Sequence, residues 1–251
     1  MRNIWIIASR EYKQYFNSPA AYLVSFMVLL AMGILFYLNL QAASQMAAMG
    51  QNYVPGVDIV IFPMATLFLL AIPAITTRLL AEEQRMGTIE LLLTAPVRDW
   101  ELVVGKWLGA FLFLLSLIVI TLIFPLVLNQ LVKPGVDQGP LISGYLGIIL
   151  LAASLTAIGV AISSLFSNQI AAFATTMGVF ILLWWIVGPI AQVAGPAGGS
   201  TNLISYFDLS GHFSNNLVRG IIDLKDIVFF LSATALGLFL GTVSVETRRW
   251  R

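Results

Sequence analysis

The sequence predicts an all-α polytopic membrane protein with six transmembrane helices, and three observations carry that expectation. Mean hydropathy is +0.92, with 59% of the 251 residues hydrophobic and 10% charged, far from the balance of soluble domains. The apolar runs are continuous and about twenty residues or longer, the length a helix needs to cross a bilayer, whereas a β-barrel would alternate over segments of about ten. The charges gather into islands between those runs, because ionic groups do not partition into hydrocarbon. A net charge of +1 without a basic patch points away from nucleic acid, and zero cysteines exclude disulfides, thiolate metal sites and cysteine nucleophiles.

Residues 1–18 read as an interfacial amphipathic helix on the inner leaflet. Ile4, Trp5, Ala8, Tyr12, Tyr15 and Phe16 share one face and Arg10, Lys13, Gln14 and Asn17 the other, with Ile6 and Ile7 off the stripe. The alternative is an extension of span one. The Asn17-Ser18-Pro19 break argues against it, since proline disfavours helix in the residue before it. Residues 19–251 read as one six-span domain with no separate soluble domain. No cleavable signal is expected, because the first apolar segment is too long and lacks a cleavage motif.

Charge-free windows place the spans at 20–40, at 59–80, from the Gly105–Gly109 stretch to before Lys133, and at 141–165, 170–193 and 227–245. The uncharged stretch from Gln138 to Phe207 is too long for one crossing and divides at the polar kink Ser163-Ser-Leu-Phe-Ser-Asn-Gln169. Six crossings put both termini on one side. If that side is the cytosol, it holds Arg2, Arg10, Lys13, Arg78, Arg85, Arg98, Lys106, Arg248, Arg249 and Arg251, against Lys133, Arg219 and Lys225 outside. The positive-inside rule therefore predicts cytoplasmic termini. The one long outer loop, 195–226, opens Gly195-Pro-Ala-Gly-Gly-Ser200. Its part 213–222 has apolar residues at near-helical spacing and is expected to form short helices re-entering the outer leaflet under protein cover.

The charged island at 81–101 must lie in water at one membrane face. Glu82, Glu83 and Arg85 follow Arg78 out of span two, and Gly87 permits a sharp turn. Thr88 is a candidate N-cap and Glu90 favours the positive end of a short helix. Ile89, Leu91, Leu92 and Leu93 supply its apolar side, and Pro96 ends it. Asp99 is expected to cap the next helix, with Trp100 and Trp107 at interfacial depth. This is a lever between two spans that offers apolar residues to a groove. The alternative is an amphipathic loop on the lipid surface.

Other chemistry is missing from the sequence. No Gly-x-x-x-x-Gly-Lys-Ser/Thr loop is present, so ATP is not bound that way, and no His-Glu-x-x-His motif occurs. His212, the only histidine, reads as a solvated or capping residue, and the serines near Ser163 have no histidine partner nearby in sequence. No ionisable residue sits at mid-span, which weighs against a self-contained channel or ion-coupled carrier. The energy for any transport then comes from outside this chain. Intramembrane hydroxyls such as Thr66, Ser116, Thr121, Ser154, Thr156 and Thr176 are expected to bond helix backbone rather than line a path. The small-residue spacings Gly105/Gly109, Ala153/Ala157/Ala161 and Gly237/Gly241 permit close helix approach within the chain or between chains.

The string Glu83-Gln-Arg85-Met86-Gly87-Thr88-Ile-Glu90-Leu91-Leu92-Leu-Thr-Ala-Pro96, followed by Asp99-Trp-Glu101-Leu-Val-Val-Gly105-Lys106, resembles the signature of type-two ATP-binding-cassette exporter permeases. The resemblance spans the chain, including Arg10-Glu11 in the N-terminal helix. Arg219-Gly-Ile-Ile-Asp223-Leu-Lys-Asp226 and the ending Glu246-Thr-Arg-Arg-Trp250 are similar to the gliding-motility-associated subfamily. It implies a permease paired with a second or homologous permease copy in a prokaryotic inner membrane. It also implies two cytoplasmic ATPase subunits that hold ATP and magnesium, with no cofactor in this chain. Residues 86–96 would form the coupling helix. The contacts with the ATPase would be Glu83, Arg85, Met86, Gly87, Thr88, Glu90, Leu91, Leu92 and Pro96, with Arg10 and Glu11 as a second contact. An extracytoplasmic partner would meet Phe213, Arg219, Asp223 and Asp226. Export of an unidentified cargo is the expected function. The alternative is transmission of ATPase motion to the outer partner without cargo.

Overall fold

The computed structural model describes residues 2–50, 54–87, 97–133, 135–193 and 206–249, and among them every regular element is helical. Six helices are long and apolar enough to cross a membrane. Helix α1 (Arg2–Asn17) stands apart: Ser18 is extended (φ −97°, ψ 120°) and Pro19 opens α2 (Pro19–Ala48). A proline there removes only an N–H that the first helical turn leaves unbonded anyway. α3 (Asp58–Arg85) is the second crossing. α4 (Asp99–Thr121) and α5 (Ile123–Leu131) together make the third. α6 (Gln138–Leu165) starts where Asp137 Oδ1 accepts the Gly139 N–H at 3.0 Å. α7 (Gln169–Ile181), a π-helical turn (Leu182–Ile186) and α8 (Val187–Val193) form the fifth. A short α9 (Leu209–Ser214) and a 3₁₀ turn (Leu217–Arg219) precede α10 (Leu224–Arg249).

The turn expected between spans four and five is in place. α6 ends at Leu165, Phe166 is extended, and Asn168 Oδ1 accepts the Ile170 N–H at 2.8 Å. Span one is longer than its hydropathy. Residues 41–48 are polar enough to leave the apolar window, but Gln, Ala and Met are good helix formers and carry α2 on toward Gly50, whose φ is +79°.

α3 and α6 form the buried centre of the bundle. Glycines on α6 let them approach: a Cβ on Gly144 would stand 3.0 Å from Ile61, and one on Gly159 would overlap Thr76. The small-residue ridges expected from sequence close contacts within the chain. A Cβ on Gly237 of α10 would lie 2.8 Å from the Ala157 carbonyl carbon, and Gly241 faces Ala161. Gly105 and Gly109 of α4 receive not another span but α1.

That contact revises the reading of α1. Its buried or half-buried stripe is Ile4, Ile7, Ala8, Glu11, Tyr12 and Tyr15, while Trp5 and Phe16 are 61% and 40% exposed. Ile7, off the stripe on a wheel, lies against Gly105. A wheel ranks residues by their own polarity. The face that wins is the one matching the glycine ridge of α4, which has room for a β-branched side chain and for the stem of Glu11. Gly109→Leu should therefore lever α1 away, because even a Cβ would stand 2.5 Å from that of Glu11 and 3.0 Å from the Ala8 carbonyl. We expect about 1–3 kcal/mol of lost stability in detergent unfolding, with loss of bridging by a short bifunctional thiol reagent between cysteines placed at Tyr12 and Ser116.

Candidate coupling face

At one end of the bundle α1, the end of α3 and the start of α4 converge on Lys106. Its Nζ donates to Glu11 Oε1 and to Glu83 Oε1, each at 2.7 Å. The side chains are 2% (Lys106), 12% (Glu11) and 20% (Glu83) exposed. An ammonium this deep requires paired carboxylates, since unpaired burial of a charge is costly. A cavity of about 450 Å³ opens beside the triad, lined also by Arg10, Gln14, Tyr15, Ser18 and Arg78. Arg78 donates to Ser18 Oγ at 3.1 Å and reaches Glu82 Oε2 at 3.4 Å. Tyr15 donates to the Ile75 carbonyl at 3.2 Å and stacks on Phe113 with ring centroids 4.7 Å apart. Burial pushes its hydroxyl pKa far up, so it remains a donor. α1 is thus tied to α3 and α4 by ionic, hydrogen-bonded and aromatic contacts together.

The start of α4 corrects one expectation. Asp99 is its first helical residue, and it is Glu101 that reaches back, accepting the Arg98 N–H at 3.1 Å and the Asn3 side-chain amide at 3.2 Å. A carboxylate three positions past the cap residue has that reach. Trp107 points inward: its Nε1 donates to the Ala153 carbonyl at 3.0 Å.

The end of α3 is clamped by α6. Ser163 Oγ accepts from the N–H groups of Leu80 (3.2 Å) and Ala81 (3.0 Å) and donates to the Thr77 carbonyl at 3.1 Å. Gln84 Nε2 donates to the Ser164 carbonyl at 2.8 Å. Helix α3 then stops on Gly87, whose φ of +70° is the left-handed conformation that closes helices, with its N–H donating to the Gln84 carbonyl at 3.3 Å. Arg85, Met86 and Gly87 are exposed there.

At the opposite end Asp226 is fully buried. His212 Nδ1 approaches its Oδ1 at 2.6 Å and Asn216 Nδ2 donates to its Oδ2 at 2.7 Å. The His212 ring stacks on Phe229, 4.2 Å between centroids, and Nε2 lies 3.1 Å from the Tyr206 carbonyl. His212 is therefore a brace, neither solvated nor a helix cap, because folding brings α10 across it. Phe213 is buried, Arg219 exposed and Asp223 partly exposed, its carboxyl held below the usual range chiefly by the Lys225 backbone N–H. Asp226→Ala should cost about 1–3 kcal/mol by leaving the Asn216 amide and the His212 ring without their acceptor, and thermal unfolding in detergent would measure it.

A family model described as "ABC-2 family transporter protein" matches residues 5–248. The chain belongs to the ABC-2 transporter family. No curated protein matches it. It is a multi-pass membrane permease subunit, non-catalytic, and the ATPase with which such permeases work is a separate subunit. The triad on Lys106 is the feature of this permease that sequence reasoning missed, and its one local signal is a lysine set between Gly105 and Gly109. Of the positions expected to meet the ATPase, the structure brings Glu11 and Glu83 together on Lys106, leaves Arg10, Arg85, Met86 and Gly87 exposed, and puts Thr88, Glu90, Leu91, Leu92 and Pro96 outside the described residues. The permease's hydroxyls bond their own helices as expected: Thr121 to the Ile118 carbonyl, Ser154 to Leu151, Thr156 to Ala152 and Thr176 to Ala172.

Proposed function

We propose that this permease is the membrane half of an ATP-driven exporter in a prokaryotic cytoplasmic membrane, closest to the gliding-motility-associated subfamily. Residues 81–101 are its cytosolic coupling hairpin, and both termini face the cytosol. A second copy or a homologous permease completes the membrane body. Two ATPase subunits hold ATP and magnesium outside this chain.

The observation that carries this is the triad at the roots of the hairpin. Glu83 stands where the hairpin leaves α3, Lys106 about two turns into α4, and Glu11 adds α1. A displacement of the hairpin is thereby delivered to three helices at once. Arg85, Met86 and Gly87 with Thr88, Glu90, Leu91, Leu92 and Pro96 dock on the ATPase. Arg10 supplies the second contact, backed by Glu11. ATP moves the spans through the difference in affinity of its two ATPase states for this face. The test is coupled activity in proteoliposomes with the ATPase. Gly87→Pro, which cannot adopt the φ of +70°, and Glu90→Arg should leave insertion intact and sever ATP hydrolysis from function. Normal coupled activity in both would sink the reading.

A second reading, motion passed to an extracytoplasmic partner without cargo, draws support from the bracing of the outer end by His212, Asp226 and Asn216. In it the short helices α9 and Leu217–Arg219 re-enter the outer leaflet. Arg219 and Asp223 meet the partner, while Phe213 and Asp226 hold them in place. ATPase activity that depends on the outer partner and moves no compound would favour it over export.

A further inference from the structure

At the end of the bundle opposite the Lys106 triad, His212 makes two ring contacts that coexist only while the ring and Asp226 share two protons. Nε2 lies 3.1 Å from the Tyr206 carbonyl, which can only accept, so this bond requires a hydrogen on Nε2. Nδ1 lies 2.6 Å from Asp226 Oδ1, a contact short enough to hold a second proton between the two atoms. The ring lies against Phe229, with centroids 4.2 Å and planes 15° apart, where an imidazolium gains an attraction to the aromatic face that a neutral ring lacks. The site is enclosed, with Asp226 fully buried and the His212 side chain 11% exposed.

The ionisable groups around the ring come from every element beside it. Asp208, before α9, accepts the Ser210 hydroxyl at 2.7 Å. Asp223 and Lys225, at the foot of α10, pair with each other at 3.0 Å, and Arg219 is exposed. The Tyr206 phenol ring stands nearly perpendicular to the imidazole, at 83°. The π-helical turn and α8, which pack on α9, carry no ionisable side chain, and neither does the sequence 194–205. Among the described residues Asp226 is therefore the one carboxylate bonded to the ring. Removing one proton forces a choice between the two contacts. The Asp226 carboxylate is fully buried, with the Asn216 amide as its other donor, and a charge-assisted bond is about twice as strong as a neutral one. Nδ1 therefore keeps its hydrogen and Nε2, on the exposed side, gives its hydrogen up. Two lone pairs then face each other between Nε2 and the Tyr206 carbonyl, and that contact opens.

We infer that His212 is a proton-controlled latch: with two ring hydrogens it ties Tyr206, in the connection from the fifth crossing, to Asp226 of α10, and with one it stays on Asp226 and releases Tyr206. In the orientation proposed above, the latch faces the extracytoplasmic side and reads the pH there. The latch itself needs neither that orientation nor an ATPase, so a protein that couples normally but keeps Tyr206 fixed at every pH loses this inference alone. The test uses the full-length protein in nanodiscs with no added histidines, so that its one histidine supplies every imidazole signal. As pH is raised through the ring's titration, ¹⁵N NMR should show the Nε2 hydrogen lost and the Nδ1 hydrogen kept, the tautomer that the Asp226 bond selects. A nitroxide on Phe207→Cys reports the neighbouring backbone, since Phe207 is 58% exposed and the chain has no other cysteine. Its mobility should rise over the same pH interval. In His212→Gln, which does not titrate, that rise should be lost. If His212→Gln fails to fold, the ring tautomer and the coincidence of the two transitions in the otherwise unaltered protein still decide the matter. Retention of the Nε2 hydrogen on the neutral ring, a ring titration without a change in mobility at position 207, or the same rise in His212→Gln would overturn the proposal.

Discussion

Lys106→Met is expected to lower the unfolding free energy by about 3–5 kcal/mol, the cost of removing one partner from a buried ionic cluster. The lysine is 2% exposed and is the cation placed between Glu11 and Glu83. Without it two carboxylates face each other beside the cavity with no cation between them, and one must take up a proton or move outward. Outward movement of Glu11 carries α1 with it, so the Tyr12 hydroxyl should separate from that of Ser116, now 3.0 Å away, and a short bifunctional thiol reagent should no longer bridge cysteines at those positions. A matched control separates lost charge from lost volume. Lys106→Met combined with Glu11→Leu and Glu83→Gln should recover most of the stability, because a buried ion cluster replaced whole by apolar or neutral groups is often near neutral. The rescued protein should still fail to couple ATP hydrolysis to function if the triad transmits the hairpin's motion. Stability of the single mutant within about 1 kcal/mol of wild type would show that the triad is not buried as described.

What the sequence made legible and what it hid divide along one line: chain-local signals against partners chosen by the fold. The six crossings were readable because a run without charge about twenty residues long needs no tertiary knowledge. The turn after α6 was readable because Ser-Asn-Gln at 167–169 is itself a turn signal. The sharp stop at Gly87 followed from glycine's freedom at positive φ. Lys106 was visible as a residue but not as a centre, since Glu11 lies 95 positions away and Glu83 lies 23. Ser163 looked like part of a polar kink, yet its hydroxyl closes the end of α3. His212 looked solvated because Asp226, its partner, is 14 residues on and reaches it only after α10 folds back. Membrane helices share so much composition that the face each one buries depends on its neighbour's shape, as Ile7 against Gly105 demonstrates.

Gly159→Leu is expected to be the most disruptive single change at the centre of the bundle, costing about 3 kcal/mol or more, at or above the upper end for overpacking. The first added atom already overlaps Thr76, which is fully buried and held in place by its own hydrogen bond to the Ile72 carbonyl at 2.9 Å. Thr76 cannot swing aside, because it is β-branched and two of its neighbours one turn on, Leu80 and Ala81, are fastened to Ser163. Alanine makes the sharper test, since intrinsic propensity favours it over glycine in a helix by about 1 kcal/mol. Gly159→Ala should nevertheless destabilise. The same substitution at Gly33 or Gly178, where an added Cβ meets nothing within 4 Å, should be neutral or stabilising. Thr76→Ala should rescue Gly159→Ala by emptying the space. If Gly159→Ala raises stability instead, α3 and α6 do not meet here. The consequence reaches function through geometry: Ser163 lies one turn beyond Gly159 and grips α3 just before the hairpin. Wedging this seam should therefore shift the root of the proposed coupling hairpin as well as loosen the core. In the proteoliposome assay Gly159→Ala should weaken coupling in the protein that remains folded, and Thr76→Ala should restore it.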